Sequence, residues 1–253
     1  MSVTETKSPG AFVQALRFLA RKGRRVWSLQ VSGKTQLTPN MLRVEFTGDD
    51  LDELVWKRGQ DLVLELPLTD GTTARRHYTI RKHDGRSLAI DFVLHGASPA
   101  GDWARGAKSG ERIEAAGPRG HTYLRQADWH LFVGDESCIP AIFAMIEGLD
   151  RADRAFAFIE IADDAERQKV ESSAAVQVTW LPRNGAPPGP STILFDAVEK
   201  FAFPQGLGHA SIIGETHNVR AIRRRLIERG LGKDQCSAEG YWRHGRVGGH
   251  DHA

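Results

Sequence analysis

The chain has 253 residues, a formal net charge of +2 at neutral pH, and only two cysteines, Cys138 and Cys236. This length suits one large or two small domains with a buried core. No apolar run approaches the roughly 20 residues that cross a bilayer. Two thiols can neither build a disulfide framework nor hold an iron–sulfur cluster on four cysteines. The balance of 34 basic and 32 acidic residues argues against a nucleic-acid-binding domain, which would carry a strong basic excess.

The two ends of the chain differ in composition from the rest. Residues 1–25 form a basic, weakly amphipathic N-terminal extension that is too polar for a secretory signal. A solvated helix is favoured there over a membrane-surface or targeting helix. Residues 247–253 are rich in Gly and His, and a disordered tail is favoured over a metal site. Because no export signal is evident, we expect a cytoplasmic protein.

Residues 26–124 carry short β-like segments separated by Gly, Pro, Asn and Asp. This spacing predicts a small six-stranded antiparallel barrel or a sandwich. The predicted strands are Val26–Val31, Met41–Phe46, Asp61–Leu66, His77–Arg81, Leu88–Leu94 and Arg112–Ala115. One helix is expected to interrupt them near Asp102–Lys108.

Residues 125–246 alternate apolar runs with helical stretches, which predicts a parallel sheet with helices on both faces. The predicted strands are Trp129–Val133, Ala155–Ile161, Val176–Leu181 and Ala210–Ile213, and the predicted helices are Ile139–Leu149, Leu194–Phe201 and Thr216–Arg229. In such sheets ligands bind at the carboxyl ends of the strands. We therefore expect a two-domain α+β protein, a barrel followed by an α/β domain, with a cofactor in the cleft between them.

The segment Arg75–Arg81 reads Arg-Arg-His-Tyr-Thr-Ile-Arg. A guanidinium grips a pyrophosphate through two hydrogen bonds. An aromatic ring and a hydroxyl follow at Tyr78 and Thr79, so one strand offers three groups that suit a flavin dinucleotide. The same residues are equally consistent with an ordinary basic strand whose side chains alternate between exposed and buried.

A second segment, His95–Ala104, is a Gly-containing loop that opens a helix, where free N–H groups attract phosphate. Within it, Trp103 suits the hydrophobic core better than the flank of an adenine. The turn Gly117–Gly120 either brings Arg119 into the cleft or is an ordinary turn.

A third segment, Val133–Ala141, runs from a buried strand through Gly134 into a helix with proline in its first turn. A nucleotide's phosphates would meet this loop, although it lacks the GxGxxG fingerprint. It is not a GxSxG elbow either, so Ser137 is a poor nucleophile. A small buried residue is favoured over a reactive thiol for Cys138.

Two further segments follow. Gly214-Glu215 ends a strand before an arginine-rich helix, most of which is interpreted as a solvated face. Gly240–Arg246 is an aromatic and basic cluster that either secures the tail or covers a flavin cleft.

Together and in this order, these segments resemble the siderophore-interacting protein family, flavin-dependent ferric-siderophore reductases related to ferredoxin reductases. The resemblance covers roughly Val26 to Arg246. Its motifs stand here as Arg76–Arg81, His95–Ala104, Ser109–Glu111, Gly117–Gly120, Gly134–Ala141 and Gly240–Gly245.

The resemblance implies FAD and NADPH or NADH as cofactors and assigns residues to each. For FAD the residues are Arg76, His77, Tyr78, Thr79, Arg81, His95, Ala97, Ser98, Pro99, Ala100, Trp103 and Ala104, with Thr79 near the reactive flavin edge. For the nicotinamide nucleotide and the adjoining cleft they are Gly134, Asp135, Glu136, Ser137, Arg183, Glu215 and Trp242, with Arg183 placed to meet a 2′-phosphate. For an anionic ferric siderophore they are Lys57, Arg58, Arg119, Arg243 and Arg246.

The resemblance thus implies that NAD(P)H reduces FAD, which then passes electrons singly to iron held by the siderophore. No side-chain nucleophile and no protein metal ligand is required. Three alternatives stay open at this point: a flavin or ferredoxin-type reductase with another acceptor, a siderophore-binding protein without turnover, and reduced ferredoxin as the donor. We expect a monomer.

Overall fold

The computed structural model describes residues 25–68, 71–94 and 98–246. The predicted N-terminal extension before Arg25, the tail after Arg246, and His95 and Ala97 of the loop segment lie outside the described residues. Within the described ranges, no helix combines the length and the apolar character needed to cross a membrane.

An antiparallel sheet of seven strands forms the first half of the chain, in the order β4-β3-β7-β1-β2-β6-β5. The strands are β1 (Val26–Thr38), β2 (Met41–Thr47), β3 (Asp61–Pro67), β4 (Thr73–Thr79), β5 (Lys82–His83), β6 (Ser87–Val93) and β7 (Arg112–Arg119). Only Ile80 and Arg81 separate the two edge strands, β4 and β5, so the chain itself closes the sheet. At this corner the Arg81 N–H donates to the Ala89 carbonyl at 2.9 Å.

The predicted antiparallel barrel is confirmed, but the count of six strands is wrong. The missed strand β5 has two residues, too few to show any alternation of apolar and polar side chains. The strand predicted at His77–Arg81 is in fact the end of β4 together with the corner that leads into β5.

Helix α1 (Pro99–Gly106) packs against β3, β4 and β6. Its first turn is favoured by proline at the first position and by Ser98, whose hydroxyl accepts from the Gly101 N–H at 3.1 Å. Trp103 lies in the barrel core, with its ring centroid 6.3 Å from Phe46 and 5.7 Å from Phe92. Burial of such a side chain contributes about 1.5–3 kcal/mol, and the preference for a core role at Trp103 is confirmed.

A parallel sheet of five strands forms the second half, in the order β10-β9-β8-β11-β12. The strands are β8 (Trp129–Asp135), β9 (Arg154–Ile161), β10 (Ala175–Pro182), β11 (Gly208–Glu215) and β12 (Cys236–Trp242), and the helices are α2 (Ile139–Ile146), α3 (Ile193–Glu199) and α4 (Thr216–Glu228). The central strand β8 is buried along its whole length. One apolar layer packs around α2 and the other around α3 and α4, as expected for a sheet covered on both faces.

The edge strand β12 was not predicted as a strand, because its residues were interpreted as an aromatic and basic cluster. It lies parallel to β11, with Ile213 opposite Glu239 and Gly214 opposite Gly240. Its seven residues mix small, acidic and aromatic side chains, so they show no period. Strand β12 carries the C-terminal segment to the carboxyl end of the sheet.

Direct contacts join the two halves. The buried carboxylate of Glu166 accepts from the Thr38 hydroxyl at 2.5 Å and from both nitrogens of Asn40, at 3.0 and 2.8 Å. Met41 and Val93 of the barrel belong to the apolar layer around α2. These contacts hold the barrel against the second sheet and so fix the relative positions of the residues described below.

Candidate functional site

Asp135 joins the carboxyl ends of three strands. Its Oδ1 accepts from the backbone N–H and the hydroxyl of Ser137, at 2.9 and 2.5 Å. Its Oδ2 accepts from the Glu215 N–H at 3.0 Å and from the Trp242 indole at 2.9 Å. Burial raises the pKa of Asp135, and the nearby Glu136 carboxylate raises it further. Residues expected at the nucleotide site from the ends of β8, β11 and β12 therefore share one hydrogen-bonded centre.

Two glycines allow this close approach of β8 and β11. Gly214 has φ +134°, and a Cβ there would lie 2.5 Å from Asp135 Oδ2. A Cβ at Gly134 would lie 2.8 Å from the Ile213 carbonyl oxygen and 2.9 Å from Cys138 Cβ. All three distances are shorter than van der Waals contact, so a side chain at either glycine would push the strand ends apart. Cys138 is buried, and burial raises the pKa of its thiol, in agreement with a small packed residue.

Glu215 caps helix α4. Its Oε2 accepts from the backbone N–H groups of His217 and Asn218 at 2.7 and 3.1 Å, and its Oε1 bonds the His217 ring at 2.9 Å. The His244 N–H adds a fourth contact at 3.3 Å. Burial alone would raise the pKa of Glu215, but these hydrogen bonds outweigh it and lower the pKa. The carboxylate thus secures the helix start and the C-terminal segment, and its contact with nicotinamide stays a prediction.

Arg183 lies just beyond β10 in a buried ionic network. Its guanidinium bonds both carboxylate oxygens of Glu136, at 2.8 and 2.5 Å, and one oxygen of Glu160 at 3.3 Å. The second Glu160 oxygen accepts from the Ser191 hydroxyl at 2.7 Å. The side chain of Arg183 is 4% exposed. The charge that the resemblance assigns to a 2′-phosphate is therefore already paired with two carboxylates.

On the barrel side, strand β4 presents Arg76 and Tyr78 on one face and Thr79 on the other. The Tyr78 ring lies 4.3 Å from Phe92, and burial raises the pKa of its hydroxyl. Thr79 is buried, and its side chain lies close enough to Tyr241 on β12 to lower the pKa of that phenol, although burial raises the pKa overall. The barrel motif therefore meets the carboxyl end of the second sheet at this pair.

A second cluster lies beside Thr79. The Asp61 carboxylate bonds the His77 ring at 3.0 Å and lies 3.4 Å from the Arg119 guanidinium, which in turn contacts His77 at 3.3 Å. Glu239 on β12 lies nearby, and burial together with the Asp61 charge raises its pKa. His77 and Arg119, assigned to FAD and to the siderophore, thus share one carboxylate. Asp61 was not identified from the sequence, where it opens an ordinary-looking strand.

Arg81 connects the halves. Its guanidinium makes two hydrogen bonds to Glu147, at 2.7 and 2.5 Å, and lies 3.7 Å from Asp91. The Arg81 side chain is 5% exposed. This guanidinium serves the junction between the barrel and α2, and its contact with FAD stays a prediction.

The remaining loop residues lie around the start of α1. Ser98 and Pro99 are half-buried, while Ala100, Trp103 and Ala104 are buried against the barrel core. Helix α1 contacts β4, which carries Arg76 and Tyr78. The structure therefore places these two predicted FAD segments side by side.

The cations assigned to the siderophore come from three parts of the chain, and their joint role stays a prediction. Lys57 and Arg58 are exposed and lie over the rings of Tyr123 and Trp56, at 4.4 and 6.0 Å. Arg125, which the sequence did not single out, also covers Tyr123, at 3.8 Å. A cavity of about 480 Å³ beside Arg58 is lined by charges of both signs, which include Arg43, Lys82, Glu45, Glu147 and Glu171. Arg243 is half-buried and Arg246 is exposed beyond the end of β12.

Comparisons with known proteins agree with this arrangement. The family model described as siderophore-interacting protein matches residues 127–245, and that described as siderophore-interacting FAD-binding domain matches residues 64–122. The ferric vibriobactin reductase ViuB of Vibrio cholerae is 30% identical over 239 residues, which cover 84% of this chain and 88% of the relative. The chain belongs to the siderophore-interacting protein family.

One solved structure and one further relative extend this comparison. The crystal structure of a siderophore utilization protein from T. fusca superposes with a TM-score of 0.82 at 34% identity, and the match covers 88% of this chain and 95% of the other. A more distant relative from Escherichia coli, the NADPH-dependent ferric-chelate reductase, is 25% identical over 159 residues, which cover 61% of this chain and 60% of the relative. The resemblance found in the sequence is thereby confirmed at the level of family and fold.

Proposed function

We propose that this protein is an FAD-dependent reductase that carries electrons from NAD(P)H to ferric siderophores. One observation carries the proposal. The barrel strand that holds the Arg76, Tyr78 and Thr79 motif adjoins the carboxyl end of the parallel sheet, where the side chain of Thr79 lies beside that of Tyr241 on β12. Carboxyl ends of parallel strands are where nucleotides bind, so a flavin on β4 and a nucleotide at these ends would be neighbours.

The donor set on the barrel fits FAD. A pyrophosphate requires cations that no acid has neutralised, and the guanidinium of Arg76 bonds only the Arg75 carbonyl among the residues described, at 2.8 Å. By contrast, two other arginines of the barrel half, Arg81 and Arg119, are paired with carboxylates. The Tyr78 ring and the Ser98-capped start of α1 add an aromatic surface and backbone N–H groups.

The roles of the chain's own groups follow from this set. Arg76 would bind the FAD pyrophosphate, Tyr78 would pack against the isoalloxazine, and the Thr79 hydroxyl would bond its polar edge. When bound, FAD accepts a hydride from the nicotinamide and releases electrons one at a time. Gly134, Glu136 and Ser137 bind the nicotinamide nucleotide at the end of β8. The buried strand ends exclude water around these groups.

The substrate side rests on cations, of which Lys57, Arg58 and Arg246 are exposed. Lys57 and Arg58 on the barrel, with Arg243 and Arg246 after β12, bind an anionic ferric chelate, while Arg119 contributes from its pair with Asp61. The iron arrives as substrate, already held by the siderophore. Reduction to Fe(II) weakens its attachment to hard oxygen ligands, and the metal is released.

The test is anaerobic. The purified protein is mixed with NADH or NADPH while the flavin absorbance is followed, and then with ferric catecholate and hydroxamate siderophores and a ferrous-iron chelator that reports Fe(II). Bleaching of the flavin followed by Fe(II) formation supports the proposal. Reduction of free flavin or quinones alone would indicate another acceptor. Binding of a ferric chelate without reduction by any donor would indicate a binding protein.

The proposal also covers the electron donor, the oligomeric state and the cellular location. Reduced ferredoxin is the alternative donor, and comparison of its steady-state rate with those of NADH and NADPH separates the three. A monomeric state is tested by gel filtration with light scattering. A cytoplasmic location is tested by cell fractionation.

A further inference from the structure

The carboxyl ends of β8 and β9 carry an unusual number of carboxylates. Glu136 follows β8, Glu160 lies near the end of β9, and Asp163 and Asp164 follow β9 directly. Asp163 and Asp164 are exposed, and Asp163 caps the short turn after β9 by accepting from the Ala165 N–H at 2.8 Å. In doubly wound sheets the adenosine ribose binds beside the end of the strand next to the phosphate-binding strand, which here is β9.

The arginines of this region are already engaged. Arg183 donates to Glu136 through two nitrogens and to Glu160 through one of them. Arg167 pairs with Asp164 at 2.8 Å and is exposed to solvent. Beyond Arg167 the loop leaves this face of the sheet, because the Ser172 hydroxyl donates to the Ile146 carbonyl of α2 at 2.9 Å. The carboxylates named above, those of Glu136, Glu160, Asp163 and Asp164, thus outnumber the two arginines, Arg167 and Arg183.

The buried part of the cluster is negative overall. Glu160 is 3% exposed and Glu136 is 16% exposed, and a single guanidinium lies between them. A phosphate monoester brought to this cluster would add up to two negative charges. It would also have to displace Glu136 from Arg183.

We propose that this site selects the unphosphorylated dinucleotide, NADH, and rejects the adenosine 2′-phosphate of NADPH, with Glu136 and Glu160 as the specificity-determining residues. Ribose hydroxyls donate to carboxylate oxygens, whereas a 2′-phosphate is repelled by them. The inference rests on the proposed function, since it assumes that the donor binds at these strand ends. It separates this chain from the Escherichia coli relative named for NADPH.

The experiment measures binding as well as turnover. The flavin-loaded protein is titrated calorimetrically with NAD⁺ and with NADP⁺, and the rate of flavin bleaching is measured with NADH and with NADPH. We expect the wild type to favour the unphosphorylated form by about tenfold or more in both measurements. Glu136→Gln frees part of Arg183 and should reduce this ratio severalfold. Glu199→Gln, which removes a carboxylate from an exposed ion pair with Arg225 on α3 and α4, should leave the ratio unchanged.

The outcomes are distinct. A wild-type ratio of one or below overturns the inference but leaves the proposed function intact, because the flavin is still reduced. An unchanged ratio in a folded Glu136→Gln protein also overturns it. If the variant does not fold, the wild-type ratio decides alone. Absence of binding and of bleaching with either nucleotide would overturn the inference and the proposed function together.

Discussion

The indole N–H of Trp242 donates to Oδ2 of Asp135 at 2.9 Å, across 107 residues of sequence. Strands β8 and β12 are not neighbours, because β11 lies between them. The same oxygen accepts from the Glu215 N–H at the end of β11. One carboxylate thus holds three strand ends in register at the edge where a nucleotide is expected.

Replacement of Asp135 by Ala should therefore destabilise the protein by about 3 kcal/mol, because it leaves the half-buried Trp242 indole and the buried Glu215 N–H without an acceptor. The measurement is urea denaturation followed by fluorescence. Asp196→Ala, at an exposed position on α3, should cost less than about 0.5 kcal/mol. Equal losses in the two variants would contradict the joining role of Asp135.

Arg76 is expected to hold FAD, and its neighbour provides a matched control. Arg76→Ala should weaken FAD binding at least about tenfold, since a guanidinium–pyrophosphate contact is a strong charge-assisted pair. Arg75 lies on the opposite face of β4, 4.0 Å from the Glu65 carboxylate, so Arg75→Ala should change the affinity less than about twofold. Calorimetric titration of the flavin-free protein with FAD distinguishes them. Similar losses for both would show that strand charge alone matters.

The buried pairing of Arg81 with Glu147 should contribute to the attachment of the two halves. Among the described residues, Glu147→Gln leaves Arg81 with one nearby carboxylate, that of Asp91 at 3.7 Å, which is already paired with Arg43. We expect a loss of about 2–3 kcal/mol in the free energy of unfolding. Glu199→Gln removes one carboxylate of the solvent-screened pair with Arg225, so its loss in the free energy of unfolding should be much smaller than that of Glu147→Gln. Chemical denaturation measures both. A loss at Glu147 no larger than at Glu199 would contradict a buried ion pair.

The sequence predicted the elements whose signal is local. Strand β8 is a mostly apolar, fully buried run, and helix α4 begins directly after Gly214-Glu215 as expected. Strand β12 was missed because its pairing with β11 is not local and its seven residues show no period. A strand of two residues, β5, has no pattern at all.

The partners of the arginines could not be predicted, for a different reason. A guanidinium makes the same forked hydrogen bonds to a carboxylate as to a phosphate. From the sequence, Arg76, Arg81 and Arg183 are therefore equally good candidates for binding a phosphate. The fold distinguishes them, because Glu147 lies against Arg81 and Glu136 against Arg183, while Arg76 bonds a backbone carbonyl among the described residues.

A buried histidine pair predicts how stability depends on pH. His209 on β11 lies opposite His130 on β8, and its ring bonds the Ser237 hydroxyl at 3.1 Å. Burial, together with smaller effects of the neighbouring His130 and Arg125, lowers the pKa of His209 to about 4. Burial also lowers the pKa of His130. Both rings are therefore neutral in the folded protein at neutral pH.

The direction of the pH effect on stability follows from the difference in proton uptake by His209 between the folded and unfolded chains. Below its ordinary pKa of 6.5, His209 takes up a proton in the unfolded chain but not in the folded one, so stability falls as the pH drops from about 6.5 toward 4. We expect wild-type protein to lose about 2 kcal/mol between pH 7 and pH 5 from this group alone. His209→Gln should remove that part of the loss, while His121→Gln, at an exposed position, should retain it. Urea denaturation at the two pH values provides the comparison. Identical pH dependence in wild type and His209→Gln would show that the ring is not held neutral by burial.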